Sequence, residues 1–302
     1  MTVNSSYRVC VIGLGSMGMG AALSCLRAGL ATSGIDLDAG RRDAFAAQGA
    51  EGVADAITGL TDAFDAVIVL VVNGAQARQV ILGQGGVADR VAPGGAIMVS
   101  CTQSADDARA LGADLAARGV LMLDAPVSGG AAKAAQGAMT VMASGPDAAF
   151  DALAPVLEAV AAKTYRIGSE IGQGATVKVI HQLLAGVHIA VGAEAMALAA
   201  RAGIPLDTMY DVVTNAAGNS WMFENRMKHV VDGDYTPTSA VDIFVKDLGL
   251  VTETGRAMGF PLPLASAAFT MFQQASNMGH GAEDDSAVIK TFAGITLPEG
   301  KA

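Results

Sequence analysis

The sequence is poor in the features that mark several large classes of protein. Only 3 of its 302 residues are cysteine. Cys10, Cys25 and Cys101 are scattered and odd in number, which argues against a disulfide framework or a paired-cysteine metal site. The histidines, at 181, 188, 229 and 280, show no metal-ligand spacing with cysteine or acidic partners, so no metal is expected. Charged residues make up 16% and the formal net charge is −10. Arg41-Arg42 is the sole adjacent basic pair, so nothing in the chain is suited to neutralising a phosphate backbone, and no nucleic-acid partner is expected. The most apolar runs, Val67 to Val72 and Leu183 to Ala193, fall short of the ~20 residues that span a bilayer. Met1 to Arg8 is polar and lacks a signal core. These absences lead to an expectation of no membrane partner and a reducing, cytoplasmic setting.

What is present is a hydrophobic content of 52% over 302 residues, enough for a large core and about two domains. Tyr7 to Ile12 reads as a short strand and runs directly into Gly13-Leu14-Gly15-Ser16-Met17-Gly18, after which Met19 to Ala28 reads as a helix. In that context the glycines have distinct roles in a dinucleotide site: Gly13 makes the tight turn, Gly15 admits a pyrophosphate, and Gly18 lets the helix pack on the strand. The helix start offers free N–H groups to the phosphates. Leu30 to Ile35 forms a second strand ending at Asp36, an acid placed to bind a ribose diol and to repel a 2′-phosphate, which favours NAD. Arg41 and Arg42 stand where a 2′-phosphate acceptor usually lies; the other reading puts them in the solvated first turn of the next helix.

Strand and helix patterns continue to alternate. Phe64 to Val72, Gly95 to Ser100, Val120 to Asp124, Met139 to Ser144 and Thr164 to Ile167 read as strands. Gln76 to Leu82, Ser104 to Arg118 and Asp147 to Val160 read as helices, with Ser104 as a cap. Such alternation predicts a doubly wound, Rossmann-type sheet with ligands at the carboxyl ends of its strands. Asn73, Thr102 and Ser128 follow such ends. Beyond Gly168 the pattern becomes helical: a long stretch from 172 to 202, then Leu206 to Ala216, Val241 to Met258, Pro263 to Met278 and Asp284 to Ala293. The expected fold class is therefore α/β, a dinucleotide-binding domain over 1–168 followed by an all-helical domain over 169–302, joined by a long helix. Lys178 and Gln182 lie one turn apart on that helix and share a side. His181 is expected to point about 100° away from Lys178 round the helix, with packing and ligand contact both open to it. Asn219, Ser220 and Trp221 are candidates for lining a pocket.

Four blocks in order carry a resemblance: Gly13-Leu14-Gly15-Ser16-Met17-Gly18, Asp124-Ala125-Pro126-Val127-Ser128-Gly129-Gly130, Gly172-Gln173-Gly174 ahead of Lys178, and Lys246-Asp247-Leu248. Together they resemble the β-hydroxyacid dehydrogenases, which include 3-hydroxyisobutyrate dehydrogenase and tartronate semialdehyde reductase. The resemblance implies that Ser128, Gly129 and Gly130 hold a substrate carboxylate, that Lys178 is the catalytic residue, and that Thr102 and Lys246 contact the cofactor; Asn73, from its place after a strand end, is a further candidate for contact with the NAD that Asp36 favours. It implies a small hydroxy acid as substrate and a homodimer or homotetramer. That family usually has Asn one turn after its lysine; here the position is Gln182, preceded by His181. The His181-Gln182-Leu183-Leu184 segment resembles a branch acting on a four-carbon sugar acid, with Gln182 and His181 as further substrate contacts. In such a reaction a lysine takes the hydroxyl proton as hydride leaves. A free lysine, with pKa near ~10.4, needs burial or a neighbouring positive ring to do so at neutral pH. Other readings of these residues are a snorkelling lysine at 178, a surface ion pair between Lys246 and Asp247, a reductase acting on a semialdehyde acid, and a dinucleotide-binding module without catalysis.

Overall fold

The computed structural model describes residues 7–300, so most of the polar amino-terminal stretch lies outside the described residues. The chain divides into two compact units, 1–178 and 179–302.

The first unit is built on β1 (Arg8–Ile12), α1 (Ser16–Arg27), β2 (Ala31–Ile35), α2 (Ala39–Ala46), β3 (Gly52–Ala54), β4 (Phe64–Val69), α3 (Gly74–Leu82), β5 (Val91–Val99), α4 (Ala105–Ala116) and β6 (Leu121–Asp124). Then follow β7 (Val127–Ser128), α5 (Gly130–Ala135), β8 (Met139–Ser144), α6 (Asp147–Ala152), α7 (Ala154–Val160) and β9 (Ala161–Gly168). The nine strands form one mostly parallel sheet. Its first part runs in the order β3-β2-β1-β4-β5-β6, the order of a doubly wound dinucleotide-binding sheet with its switch point between β1 and β4.

Alternating residues of each central strand enter opposite cores. Val9, Val11, Ala66 and Ile68 face one apolar layer, which contains α1 and α7 residues. Cys10, Ile12, Val67 and Val69 face another, which contains Ala77, Ile81, Leu111 and Leu115. Burial on both faces explains why these strands read as continuous apolar runs.

The far edge departs from a purely parallel series. β8 lies antiparallel to β6 and β7 and parallel to β9. The β6–β8 pairing sets Ser144 opposite Asp124, an arrangement that matters for the next helix. The expected helix from Asp147 to Val160 is two helices that break at Leu153. Pro155 has no N–H to continue the ladder, and its ring opposes the preceding turn.

Helix α8 (Gln173–Arg201) is held at its start by side chains of the sheet. One Asp124 carboxylate oxygen accepts from the Gly172 and Ala175 N–H groups, both at 2.9 Å, and the Ser144 hydroxyl accepts from Gly174 N–H at 2.9 Å. A carboxylate here also opposes the positive end of the helix dipole. Burial pushes the Asp124 carboxyl above the usual carboxylate range, against the pull of the Ala175 and Gly172 N–H groups and the Ser144 hydroxyl.

The second unit contains most of α8 together with α9 (Leu206–Thr214), α10 (Trp221–Asp232), α11 (Val241–Ala257), α12 (Pro263–Ala275) and a 3-10 turn over Asp285–Thr291. Its core gathers Ile189, Ala193 and Met196 of α8 with Phe223, Met227, Phe244, Leu248 and Phe272. Two expectations need correction. The segment from Asp284 to Ala293 is a 3-10 turn rather than an α-helix, and Trp221–Asp232 is a helix that no expectation included. By length and composition α8 is also apolar enough to cross a membrane, contrary to the count of short apolar runs. His181, Gln182 and His188 interrupt the runs without adding charge. Half of its most apolar window is buried in protein, as in a core helix.

The helix start leaves no room for a side chain at Gly174, where a Cβ would stand 2.6 Å from both the Asp124 and Met142 carbonyl oxygens. Gly174→Ala is expected to lower stability by about 1–3 kcal/mol through overpacking, measured by denaturant unfolding. An unchanged midpoint would show that the helix start can yield at this point.

Candidate active site

At the switch point, Gly13 adopts a φ of 89°, and a Cβ there would lie 2.5 Å from the Leu70 carbonyl oxygen. A Cβ on Gly18 would lie 1.7 Å from the Gly13 carbonyl oxygen. Both glycines are thus required by the protein's own packing. Gly15 is different: apart from its chain neighbours, the nearest atom to a Cβ would be Arg41 Nη1 at 3.9 Å. Gly15 is the N-cap of α1, and no side chain caps that helix. The N–H groups of the first turn are therefore left uncapped by any side chain, beside the bare backbone of Gly15, with Ser16 exposed and Gly18 buried. These are the requirements of a pyrophosphate site, and the residues present fit NAD.

Asp36 stands at the end of β2. Its carboxylate accepts from the Leu14 N–H at 2.7 Å and the Asp38 N–H at 2.9 Å, and Arg41 lies 3.5 Å away. Arg42 donates to the Asp36 and Leu37 carbonyls. The two arginines thus divide: Arg42 ties down its own loop, while Arg41 neighbours the acid. Leu14 takes a different place from the one expected of a cofactor contact. Its side chain is buried in the sheet core, and its N–H is given to Asp36. Asn73 caps α3 by accepting from Gln76 N–H at 2.9 Å, a local role that its position after a strand did not reveal. Thr102 lies half-buried between β5 and α4.

Lys178 is buried, with 7% of its surface exposed. That excludes the snorkelling reading, in which the ammonium would reach water. Its Nζ donates to the Val127 carbonyl at 2.9 Å, directly before Ser128. Gly129 and Gly130 follow with φ values of 130° and 71°. A Cβ on Gly130 would meet nothing within 4 Å. The structure therefore brings the lysine to the hydroxyl and glycine cradle that the sequence picked out separately. At Gly129 the Lys133 side chain closes one side of the turn, 2.9 Å from where a Cβ would stand. An ammonium beside such backbone N–H groups can hold a carboxylate and exchange a proton with a neighbouring hydroxyl.

In the second unit, Gln182 is buried and donates through Nε2 to the Asp247 carboxylate at 2.5 Å. Lys246 pairs with the other oxygen of the same carboxylate. His181 Nδ1 lies 2.9 Å from Gln182 Oε1. The expected orientation of His181 needs correction: three residues place it about 60° from Lys178 round the helix, not 100°. Sequence reasoning named Gln182, His181 and Lys246 but gave no ligand-site role to Asp247, which links them. It likewise gave none to Asp124, although the acid stood in a quoted block four residues before Ser128.

Of the three residues proposed as pocket lining, Ser220 caps α10 through Phe223 N–H, and Asn219 donates to the Thr214 carbonyl and Glu224. Trp221 lines a cavity of about 440 Å³ with Tyr210, Glu224, Lys228 and His229. That cavity includes none of the residues assigned above to catalysis or to cofactor and substrate binding. Among the described residues, no group of three or more histidines, cysteines or acids could hold a metal.

A sheet shaped to seat a dinucleotide, with a buried lysine beside a carboxylate cradle, is the layout of a dehydrogenase that works with NAD. Residues 8–168 match the NAD-binding domain of 6-phosphogluconate dehydrogenase, and residues 172–292 match the NAD-binding segment of NADP-dependent 3-hydroxyisobutyrate dehydrogenase. The chain belongs to the β-hydroxyacid dehydrogenase family of 3-hydroxyisobutyrate dehydrogenase-like proteins. It is 66% identical to an L-threonate dehydrogenase of Escherichia coli, with all of both chains covered. It is 54% identical to one from Cupriavidus necator, covering 98% of this chain and 99% of that one. A solved structure named 3-hydroxyisobutyrate dehydrogenase, from Salmonella typhimurium, is 65% identical with a TM-score of 0.91, covering 95% of this chain and 100% of the other.

The three glycines make a separable prediction. Gly15→Ala is expected to leave the unfolding midpoint within about 0.5 kcal/mol of the parent, as for a substitution with no close neighbour, while weakening NAD binding about tenfold in a fluorescence titration. Undiminished NAD affinity would show that the open space over Gly15 is not where the pyrophosphate sits.

Proposed function

We propose that this protein oxidises L-threonate at the C2 hydroxyl, giving the 2-oxo acid 2-dehydro-L-erythronate. The observation that carries the chemistry is the hydrogen bond from Lys178 Nζ to the Val127 carbonyl, which fixes a buried amine at the edge of the Ser128-Gly129-Gly130 cradle. The choice of acid is supported by relatives named L-threonate dehydrogenase from several bacteria, 64–66% identical over nearly the whole chain. Gln182 supports it further, because a longer amide reaches differently over a substrate that carries several hydroxyls.

In this reading, Ser128 and the N–H groups of Gly129 and Gly130 hold the substrate carboxylate. Lys178, as the neutral amine, takes the C2 hydroxyl proton while the C2 hydride departs, and the C2–O single bond becomes a carbonyl. Bound NAD supplies the hydride acceptor. The resulting ammonium is stabilised by the Val127 carbonyl, a charge-assisted hydrogen bond. Gln182, one turn along the same helix, and His181 contact the remaining hydroxyls. Lys246 and Thr102 contact the cofactor.

Self-association as a homodimer or homotetramer accompanies this reading. Ile180, Leu184, Val191 and Leu198 are each more than half exposed and lie along one stripe of α8. A cytoplasmic, reducing setting is part of the same reading, in keeping with Cys10 and Cys25 being buried free thiols.

Lys178→Ala is expected to lower turnover about 10²–10⁴-fold while NAD affinity is retained. Among L-threonate, D-threonate, the erythronates, 3-hydroxyisobutyrate and glycerate, L-threonate is expected to give the highest kcat/KM in an NADH absorbance assay. Near-normal turnover in the variant would remove Lys178 from the chemistry; preference for 3-hydroxyisobutyrate or glycerate would overturn the substrate.

A further inference from the structure

Gly129 and Gly130 are glycines for opposite reasons. A Cβ on Gly130 would meet nothing within 4 Å, whereas one on Gly129 would stand 2.9 Å from both Cβ and Cδ of Lys133 and 3.4 Å from its Cγ. The place of a side chain at 129 is taken by the stem of the lysine one turn on. Helical side chains lean toward the preceding turn, and Lys133 of α5 leans over Gly129, the N-cap of that helix. Its neighbour Ala134 is buried against Gly20 of α1, so α5 is pinned on that side and Lys133 stays exposed. The ammonium lies only two bonds beyond Cδ, which keeps it beside the Ser128-Gly129-Gly130 turn. Every other described lysine has a partner: a carbonyl for Lys178, the Tyr165 ring for Lys163, and a carboxylate for Lys228, Lys246 and Lys290. Among the described residues, nothing partners the Lys133 ammonium.

We infer that Lys133 is a substrate-binding residue, a second amine at the cradle whose ammonium meets the carboxylate of the hydroxy acid. The inference rests on the proposed role of Ser128, Gly129 and Gly130 as the carboxylate cradle. Charge balance gives the reason for a second amine. Lys178 enters the proposed reaction as the neutral amine, and the Ser128 hydroxyl and the backbone N–H groups carry no charge. A carboxylate held by these groups alone would have no counter-charge within the cradle. Lys133 supplies it as a point charge on a flexible stem, able to follow the acid into the turn and to release it with the product.

The test is Lys133→Met in the full-length protein, with Lys133→Arg and Ser128→Ala beside it, assayed on the acid of highest kcat/KM, L-threonate in the proposed reading. Methionine keeps an unbranched stem over Gly129 and removes the charge, so a role confined to packing would leave the kinetics unmoved. Lys133→Met is expected to raise KM about three- to tenfold, between the worth of an exposed ion pair and that of a hydrogen bond to a charged group. Its kcat and its Kd for NAD are expected to stay at the parent values. The fall of kcat/KM with added salt is expected to weaken in the same variant, because the charge that salt would screen is gone. Lys133→Arg is expected to keep both the parent KM and its salt dependence. An unchanged KM in Lys133→Met would overturn the inference. So would a loss confined to NAD affinity, which would place the ammonium on the cofactor phosphates instead. Ser128→Ala separates this failure from that of the cradle. A raised KM there, with an unchanged KM in Lys133→Met, would uphold the cradle and overturn the role of Lys133. An unchanged KM in both variants would overturn the cradle and the inference together.

Discussion

One buried carboxylate decides where the reactive helix begins. Asp124 ends β6 and gives a single oxygen to two backbone N–H groups of the α8 start, while Ser144, its partner across the β6–β8 pairing, takes a third. Without these acceptors the first turn would bury unsatisfied donors, each costing about 1–3 kcal/mol. The lysine follows within two turns. Its reach to the Val127 carbonyl depends on where the helix starts, and the same β6 end leads through Ala125 and Pro126 to that carbonyl. The two arms that bring lysine and cradle together therefore leave the sheet at one place. The antiparallel turn of β8 is what supplies Ser144 there.

The dinucleotide loop follows a complementary logic. Gly13 and Gly18 are forced by contacts inside the protein, and Gly15 by the space left for something else. A tight turn at Gly13 brings the loop against Leu70 at the end of β4, the next strand across the switch point. Asp36 then uses its carboxylate to hold the same loop through the Leu14 N–H. The acid expected to read a ribose thus also shapes the phosphate turn, so a change at Asp36 would disturb both.

Much of this was legible in the sequence, and the exceptions have physical reasons. The strand–glycine–helix start, the apolar runs of the parallel strands, the Ser104 cap and the span of α8 are all local, set by residues within a few positions of one another. Lys178 and Ser128-Gly129-Gly130 were identified as separate blocks, and folding brings them to a shared carbonyl. Asp124 was in view without a role because its partners lie 48 and 51 residues away, a separation that no spacing rule reaches. Asp247 was read as the ion-pair partner of Lys246, and the bond to Gln182, 65 residues away, could not be foreseen. α10 was missed for a different reason. Its signals were present, with Ser220 as cap, Phe223, Met227 and Val230 on one face and Gly233 in the left-handed conformation as stop, but Asn219, Ser220 and Trp221 were weighed as pocket lining. The antiparallel course of β8 left no local mark, since a strand reads alike in either direction.

The central claim is that this chain moves a hydride from C2 of L-threonate to NAD. It is tested most directly by supplying L-threonate deuterated at C2 and analysing the NADH formed by mass spectrometry. The account predicts one deuterium in each NADH molecule and none in the solvent. NADH formed without the label would mean that another carbon is oxidised, and no NADH from L-threonate under any condition would contradict the account as a whole.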